Sequence, residues 1–164
     1  MADVSISIRP ATPADVPAIL SLIRELAEYE KSLDKVVATT QNLHEDLFPT
    51  SGRPVCEAVM GEVNGVIEGF ALFFHNYSTW VGRKGIYLED LYVRPHARGV
   101  GLGKALFQRV VNIAVERGCH RMDWMVLDWN TPAHDFYRRM GAYAMDEWTM
   151  WRLEEGALKK AMER

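Results

Sequence analysis

Apolar residues along this chain recur with two periods, and each switch between them marks a new element. Residues 5–9, SISIR, alternate with a period of two, as a half-buried strand does. From Val16 the period becomes helical. Val16, Ile19, Leu20, Ile23, Leu26 and Ala27 share one face of a helix running to about Tyr29. Its start reads Thr12-Pro13-Ala14-Asp15: Thr12 can accept from an unpaired N–H, Pro13 fits a first turn, and Asp15 suits the positive end. A shorter helix begins at Thr39 or Thr40, carries Leu43, Leu47 and Phe48, and stops at Pro49. Residues 55–63 and 66–74 are predicted strands joined by Asn64-Gly65, a pair that favours the tightest hairpin turn. Residues 87–93 form the next strand, ended by Pro95.

In the second half, Ala105, Leu106, Val110, Ile113 and Ala114 make an apolar helical stripe closed by Gly118. Residues 121–127 read as a strand, and 130–140 as a helix with Pro132 in its first turn and Gly141 after its end. One or two further strands are expected over 142–153, and a helical or frayed end over 154–164. The order βααβββαβαβ predicts an α/β protein: one domain, 1–164, with a mixed sheet carrying about four helices. A length of 164 residues suffices for a real core, and 48% hydrophobic with 25% charged residues is ordinary for a soluble globular chain. The net charge of -3, without a basic stripe, argues against a nucleic-acid partner. The longest apolar run, 70–74, is far too short for a membrane span. Cys56 and Cys119 form no spacing motif, and Met1-Ala2-Asp3-Val4 shows no targeting pattern, so a cytoplasmic location is expected. His44, His75, His96, His120 and His134 are not paired at ligand spacing, so no metal site is expected. Trp80, Trp124, Trp129, Trp148 and Trp151 are expected mostly in the core.

Candidate chemistry concentrates in 87–104, YLEDLYVRPHARGVGLGK. Glu89 and Asp90 interrupt an otherwise apolar, aromatic strand, where charge needs a reason. Strand alternation would send their side chains to opposite faces. Gly99, Gly101 and Gly103 then alternate just before a helix, where backbone N–H groups can approach an anion at the positive helix end. The spacing is G-x-G-x-G, not the dinucleotide G-x-G-x-x-G, although Asp123 is a loose candidate for its acidic partner. Lys104 is followed by Ala105, which excludes the nucleotide P-loop. A plain turn needs one glycine; three at alternate positions point to a phosphate-bearing ligand beside a carboxylate.

These residues resemble a known family. Arg98-x-x-Gly101-x-Gly103 is similar to the acyl-CoA-binding motif of the GNAT superfamily of N-acetyltransferases. Further blocks resemble its diamine (spermidine/spermine) branch: Ile8-Arg9-Pro10-Ala11-Thr12, Tyr87-Leu88-Glu89-Asp90, Trp129-Asn130, Phe136-Tyr137-Arg138-Arg139-x-Gly141-Ala142 and Trp151-Arg152-Leu153, in order along the chain.

The resemblance implies a GNAT-like fold that binds acetyl-CoA and moves its acetyl group to an amine by direct transfer. It implies that Arg98, Gly99, Val100, Gly101, Leu102, Gly103 and Lys104 offer amides to the pyrophosphate. Leu91, Tyr92 and Val93 would pair with the pantetheine arm. Asn130, Thr131, Pro132 and Ala133 would contact the cofactor from the other side. The strands at 87–93 and 121–127 would splay apart around the thioester. Glu89 matches the family's base and Tyr137 its general acid, also beside the cofactor. Tyr29, Glu30, Glu89, Asp123, Trp124 and Met125 match substrate-contacting positions. Two departures stand out: Trp148 and Thr149 replace an acidic pair of the diamine enzymes, and Asn64-Gly65 replaces an insertion. They leave a smaller amine, a lysine analogue such as thialysine, or an amino acid as alternatives to spermidine. A homodimer through the C-terminal region is implied as well. A protein or peptide N-acetyltransferase and a CoA-binding module without turnover are the rival functions.

Overall fold

Asn64 and Gly65 take φ of 51° and 80°, the left-handed pair that the hairpin between the second and third strands demands. In the computed structural model, which describes residues 4–162, the chain forms two compact units, Met1–Met125 and Val126–Arg164. The first unit holds a five-stranded sheet. β1 (Ile6–Pro10), β2 (Glu57–Val63), β3 (Val66–Ser78) and β4 (Arg83–Val93) are successive antiparallel neighbours. β5 (Met122–Asp123) joins β4 in parallel. The helices of this unit are α1 (Val16–Tyr29), α2 (Thr40–Leu47) and α3 (Leu102–Glu116).

One sheet face presents Ala58, Met60, Phe70, Leu72 and Tyr92 to Ile19 and Leu22 of α1 and Leu47 of α2. The next residues along β2 and β3 point the other way, under α3. There Gly61 and Gly69 sit directly opposite each other. A Cβ on Gly61 would lie 2.9 Å from Leu102 Cδ1, and one on Gly69 2.6 Å from the Tyr92 carbonyl oxygen. The glycine pair therefore lets α3 lie close on the sheet, and this fixes the height of the loop that opens α3.

α1 starts as expected but with different bonding. A 3-10 turn, Pro13–Asp15, leads into it. The Thr12 hydroxyl donates to Asp15 Oδ2 at 2.8 Å, as does the Thr12 amide at 2.7 Å, so Asp15 is the acceptor here. Arg9 adds two more donors to the same buried carboxylate, at 2.7 and 2.9 Å. α2 is capped by Thr39, whose hydroxyl accepts from the Asn42 amide at 3.1 Å.

The sheet differs from expectation at both ends of the β3–β4 region. The hairpin is longer, because Asn76, Tyr77 and Ser78 pair with Gly85, Lys84 and Arg83. These residues are polar or small and carry no alternation. The strand expected over 121–127 is only two residues long.

In the second unit, α4 (Thr131–Arg139) is capped by Asn130, whose side chain accepts from the Ala133 amide at 3.4 Å. Gly141, at φ 90°, ends it, with Ala142 N–H donating to the Tyr137 carbonyl at 3.1 Å. The strands expected over 142–153 are absent among the described residues. That segment is irregular and leads into α5 (Glu155–Met162). A strand needs a ladder partner, and among the described residues this segment pairs with none. The core placement of the tryptophans fails with it: Trp80, Trp148 and Trp151 are 87, 66 and 90% exposed. Among the described residues no helix is long and apolar enough to cross a membrane.

The partners of Asp15 hold its carboxyl well below the usual range, the Arg9 bonds most of all. Its contribution to stability is complete above about pH 4, where an unfolded aspartate is ionised, and is lost as pH falls below that toward the folded pKa. Asp15→Ala should lower stability at pH 7 by about 2 kcal/mol in urea denaturation, and the difference from wild type should shrink on acidification below about pH 4.

Candidate active site

β4 ends at Val93, and a 3-10 turn, Pro95–Ala97, carries the chain into the glycine loop. Gly99 and Gly101 have φ of 83° and 100°, so any side chain there would be strained. Gly103 is different. It lies in the first turn of α3, and an added Cβ would meet only Val93 Cγ2, at 3.7 Å. The fold requires the first two glycines and leaves the third unexplained by packing. The first intrahelical bond of α3 runs from Ala105 N–H to the Gly101 carbonyl, 3.0 Å. The amides of Leu102, Gly103 and Lys104 therefore stand at the positive helix end with no acceptor inside the helix. Such a cradle fits a phosphate.

Arg98 is held within the loop. Its N–H donates to the Pro95 carbonyl at 3.3 Å, and its Nε to the Val93 carbonyl at 2.8 Å. The guanidinium lies over the rings of Tyr29, 5.2 Å, and Tyr92, 5.7 Å. It braces the loop against the end of α1. A second brace runs in parallel: Arg94 forks onto Glu25 of α1 with Nε and Nη2, 3.0 and 2.9 Å, while its Nη1 donates to the Ile67 carbonyl. Both ties fix the tip of α1, where Glu30 sits, relative to the glycine loop.

The carboxylates in β4 are placed by a bulge. Leu72 faces Asp90 and the next residue, Phe73, faces Leu88, so Glu89 is one residue too many for its partner strand. Alternation is reset there. Asp90 shares the face of Leu72, the face that α1 covers, and Glu89, one step past Leu88, points to that face as well. The expectation of opposite faces is therefore corrected, and the two carboxylates act on each other. Burial first, then the charges of Glu89 and Glu30, push Asp90 up to about 7. Burial also raises Glu30. Glu89 itself is exposed. Glu30, Glu89 and Asp90 thus form a negative patch containing one carboxyl that changes charge near neutrality. Cys56 feels the same field: burial, then Asp46, Glu57 and Glu89, raise its thiol to about 11, so it is protonated at neutral pH.

β5 pairs with β4 only at Ile86–Met122 and Tyr87–Asp123. Among the described residues, no strand is paired to the outer edge of β4 beyond Tyr87, the stretch that holds Leu91, Tyr92 and Val93. Asp123 Oδ2 accepts from Asn76 Nδ2 at 2.7 Å and pairs with Arg121 Nε at 2.8 Å. Trp124 packs edge-on to Phe107 at 5.5 Å, and Met125 is exposed. Asn130, Thr131, Pro132, Ala133 and Tyr137 belong to the second unit, where burial pushes the Tyr137 hydroxyl up to about 12. Among the described residues no group of His, Cys, Asp or Glu could hold a metal ion. Sequence reasoning missed Asp90 as a site residue, along with the Glu25–Arg94 fork and Asn76. The adjacent Glu-Asp pair was the visible signal, but a bulge leaves no signature of its own.

Residues 20–142 match the Acetyltransferase (GNAT) family, which is more than half the chain. The protein belongs to this family and is an acetyltransferase. Among its relatives, the thialysine N-epsilon-acetyltransferase of Bos taurus is 40% identical, covering 94% of this chain and 96% of the relative. The L-ornithine N5-acetyltransferase NATA1 of Arabidopsis thaliana is 31% identical, covering 93% of this chain and 86% of its own. An integron cassette protein from V. cholerae has the same fold, with a TM-score of 0.79 at 25% identity, covering 98 and 99% of the two chains. GNAT enzymes take their acyl group from acetyl-CoA, and the amide cradle before α3 has the donors its diphosphate needs.

The two kinds of glycine in this GNAT loop should separate in calorimetry with acetyl-CoA. Gly101→Ala should weaken binding about tenfold, because a left-handed alanine costs roughly 1–2 kcal/mol. Gly103→Ala should leave the melting temperature unchanged, so any loss of binding there reports contact with the ligand.

Proposed function

We propose that this enzyme transfers the acetyl group of acetyl-CoA to a primary amine of a small molecule by direct attack in a ternary complex. The bulge that sets Glu89 and Asp90 side by side on one face carries this reading. An alkyl ammonium, pKa about 10.4, must lose a proton before it can attack. Handing that proton to an ordinary aspartate is uphill by roughly 9 kcal/mol, and to a carboxyl near 7 by about 5. Glu89 and Asp90 act as a coupled pair, with Asp90 the member that keeps the proton near neutral pH. Glu30, at the braced tip of α1, adds negative charge that attracts the cation, and Tyr29 lies beside it.

The other roles follow the resemblance. The amides from Gly99 to Lys104 hold the diphosphate, the edge of Leu91, Tyr92 and Val93 pairs with the pantetheine arm, and Asn130, Thr131, Pro132 and Ala133 contact the cofactor. Tyr137, about 3.5 units above an ordinary thiol, acts best as a hydrogen-bond donor to the departing sulfur, since full proton transfer would cost about 5 kcal/mol. A cysteine raised to about 11 is a poor nucleophile, which favours direct transfer over an acetyl-enzyme. The relatives named for thialysine and ornithine favour a lysine-like or diamine acceptor over spermidine. A homodimer fits the exposed apolar residues of the C-terminal region, among them Tyr143, Trp148 and Trp151, and two free cysteines suit a cytoplasmic location.

Acetyl-CoA consumption measured over lysine analogues, diamines, polyamines and histone-like peptides tests the reading. Turnover should be highest with a small lysine-like amine. Preference for peptides would make it a protein acetyltransferase, and tight CoA binding with no turnover a binding module. In pH profiles of kcat/KM, Asp90→Asn should remove the acid limb near pH 7. Glu89→Gln should move that limb to lower pH, because a like charge beside Asp90 is gone; a move to higher pH would make Glu89 the base. Tyr137→Phe should lower kcat about a hundredfold with acetyl-CoA affinity retained.

A further inference from the structure

Asn76 lies on β3, Gly85 on β4 and Asp123 on β5, and one side chain crosses all three strands. Asn76 faces Gly85 in the ladder. Its side chain passes over Gly85 and donates Nδ2 to Asp123 Oδ2 at 2.7 Å. The crossing exists only because residue 85 lacks a Cβ, which would stand 2.4 Å from Asn76 Oδ1. The amide orientation is fixed chemically: a carboxylate only accepts, so the NH2 group must face Asp123. That choice leaves Asn76 Oδ1 buried with no donor, a cost of about 1–3 kcal/mol. The contact that keeps this arrangement in place has to offset that cost.

The contact sits where the ladder between β4 and β5 stops. The β4–β5 ladder counts two residue pairs, extended on its N-terminal side by Ile86 N–H to the Arg121 carbonyl and His120 N–H to the Lys84 carbonyl, each 3.0 Å. Asp123 is the last paired residue, opposite Tyr87, and the unpaired edge of β4 starts at the next residue. On the other face, Trp124 packs against Phe107 of α3. β5 is therefore gripped from both faces at the point where the sheet opens. We infer that Asn76 and Asp123 form a latch that sets this opening, making Asn76 a positioning residue for acetyl-CoA and Asp123 its anchor. The inference rests on the reading that the free edge of β4 receives the pantetheine arm.

Steady-state kinetics on four variants, with melting temperatures and acetyl-CoA calorimetry, test the latch. Asn76→Ala and Asp123→Ala should each raise the KM and Kd for acetyl-CoA about tenfold, with the amine KM within twofold of wild type. The double variant should be no worse than Asp123→Ala alone, since that variant already removes the Asn76 bond along with the Arg121 pair. Asp123→Asn keeps an acceptor for the Asn76 amide and should restore near wild-type values. Asp123 is half-exposed, so its variants stay folded even if Asn76→Ala does not. A fall in melting temperature with unchanged acetyl-CoA constants would reduce the contact to ordinary structure and overturn the latch. A raised amine KM in both Asp123 variants would overturn it by making Asp123 a substrate ligand. Wild-type protein that gives no heat with acetyl-CoA would remove the cofactor reading and the latch together, whereas binding that is equally tight in all variants would remove the latch alone.

Discussion

One surplus residue in β4 governs the chemistry of the first unit. A regular strand would put Glu89 and Asp90 on opposite faces, each free to ionise at ordinary pH. Because β3 offers no partner for Glu89, the pleat is reset, and both carboxylates face the side covered by α1. Burial first, and then the charge of Glu89 beside it, disfavours the ionised form of Asp90. The more buried one, Asp90, is driven toward neutrality. In the proposed mechanism the buried member of this pair is the group that receives the proton.

In the proposed mechanism the patch works only if the amides that open α3 stand at a fixed distance from it. Two levels of structure hold that distance. Gly61 and Gly69 remove the side chains that would lift α3 off the sheet, so the amides at the start of α3 are set by backbone packing. Arg94 on Glu25 and Arg98 over Tyr29 then tie the tip of α1 to the same loop. Each tie is partly buried and geometrically specific, which makes it worth more than an exposed ion pair. α1 delivers Glu30, the loop delivers donors, and β4 connects them.

The second unit follows a different logic. α4 is a well-capped helix with the expected start and stop. Residues 142–153 keep a strand-like content of aromatic and apolar side chains but form no ladder among the described residues, and Tyr143, Trp148 and Trp151 are exposed. Hydrophobic content alone does not make a strand; a second edge must be there to bond with.

Much of this protein can be read directly from its residues. Helical and alternating periods identified α1, α2, α3, α4 and the β2–β3 hairpin, since these signals are local: one face of a helix, one left-handed Asn-Gly turn, one proline in a first turn. The glycine loop was legible too, because positive φ admits few residue types. What stayed hidden depends on partners distant along the chain. The face of Asp90 depends on a register slip against Leu72, the length of β5 on where β4 stops bonding to it, and the part played by Arg98 on rings from α1 and β4. Asn76 carries no motif at all and gains meaning only where a missing Cβ at Gly85 lets it reach a third strand. Local preference writes the elements, whereas pairing across the sheet decides which charges meet, and that information resides in contacts between residues far apart in sequence.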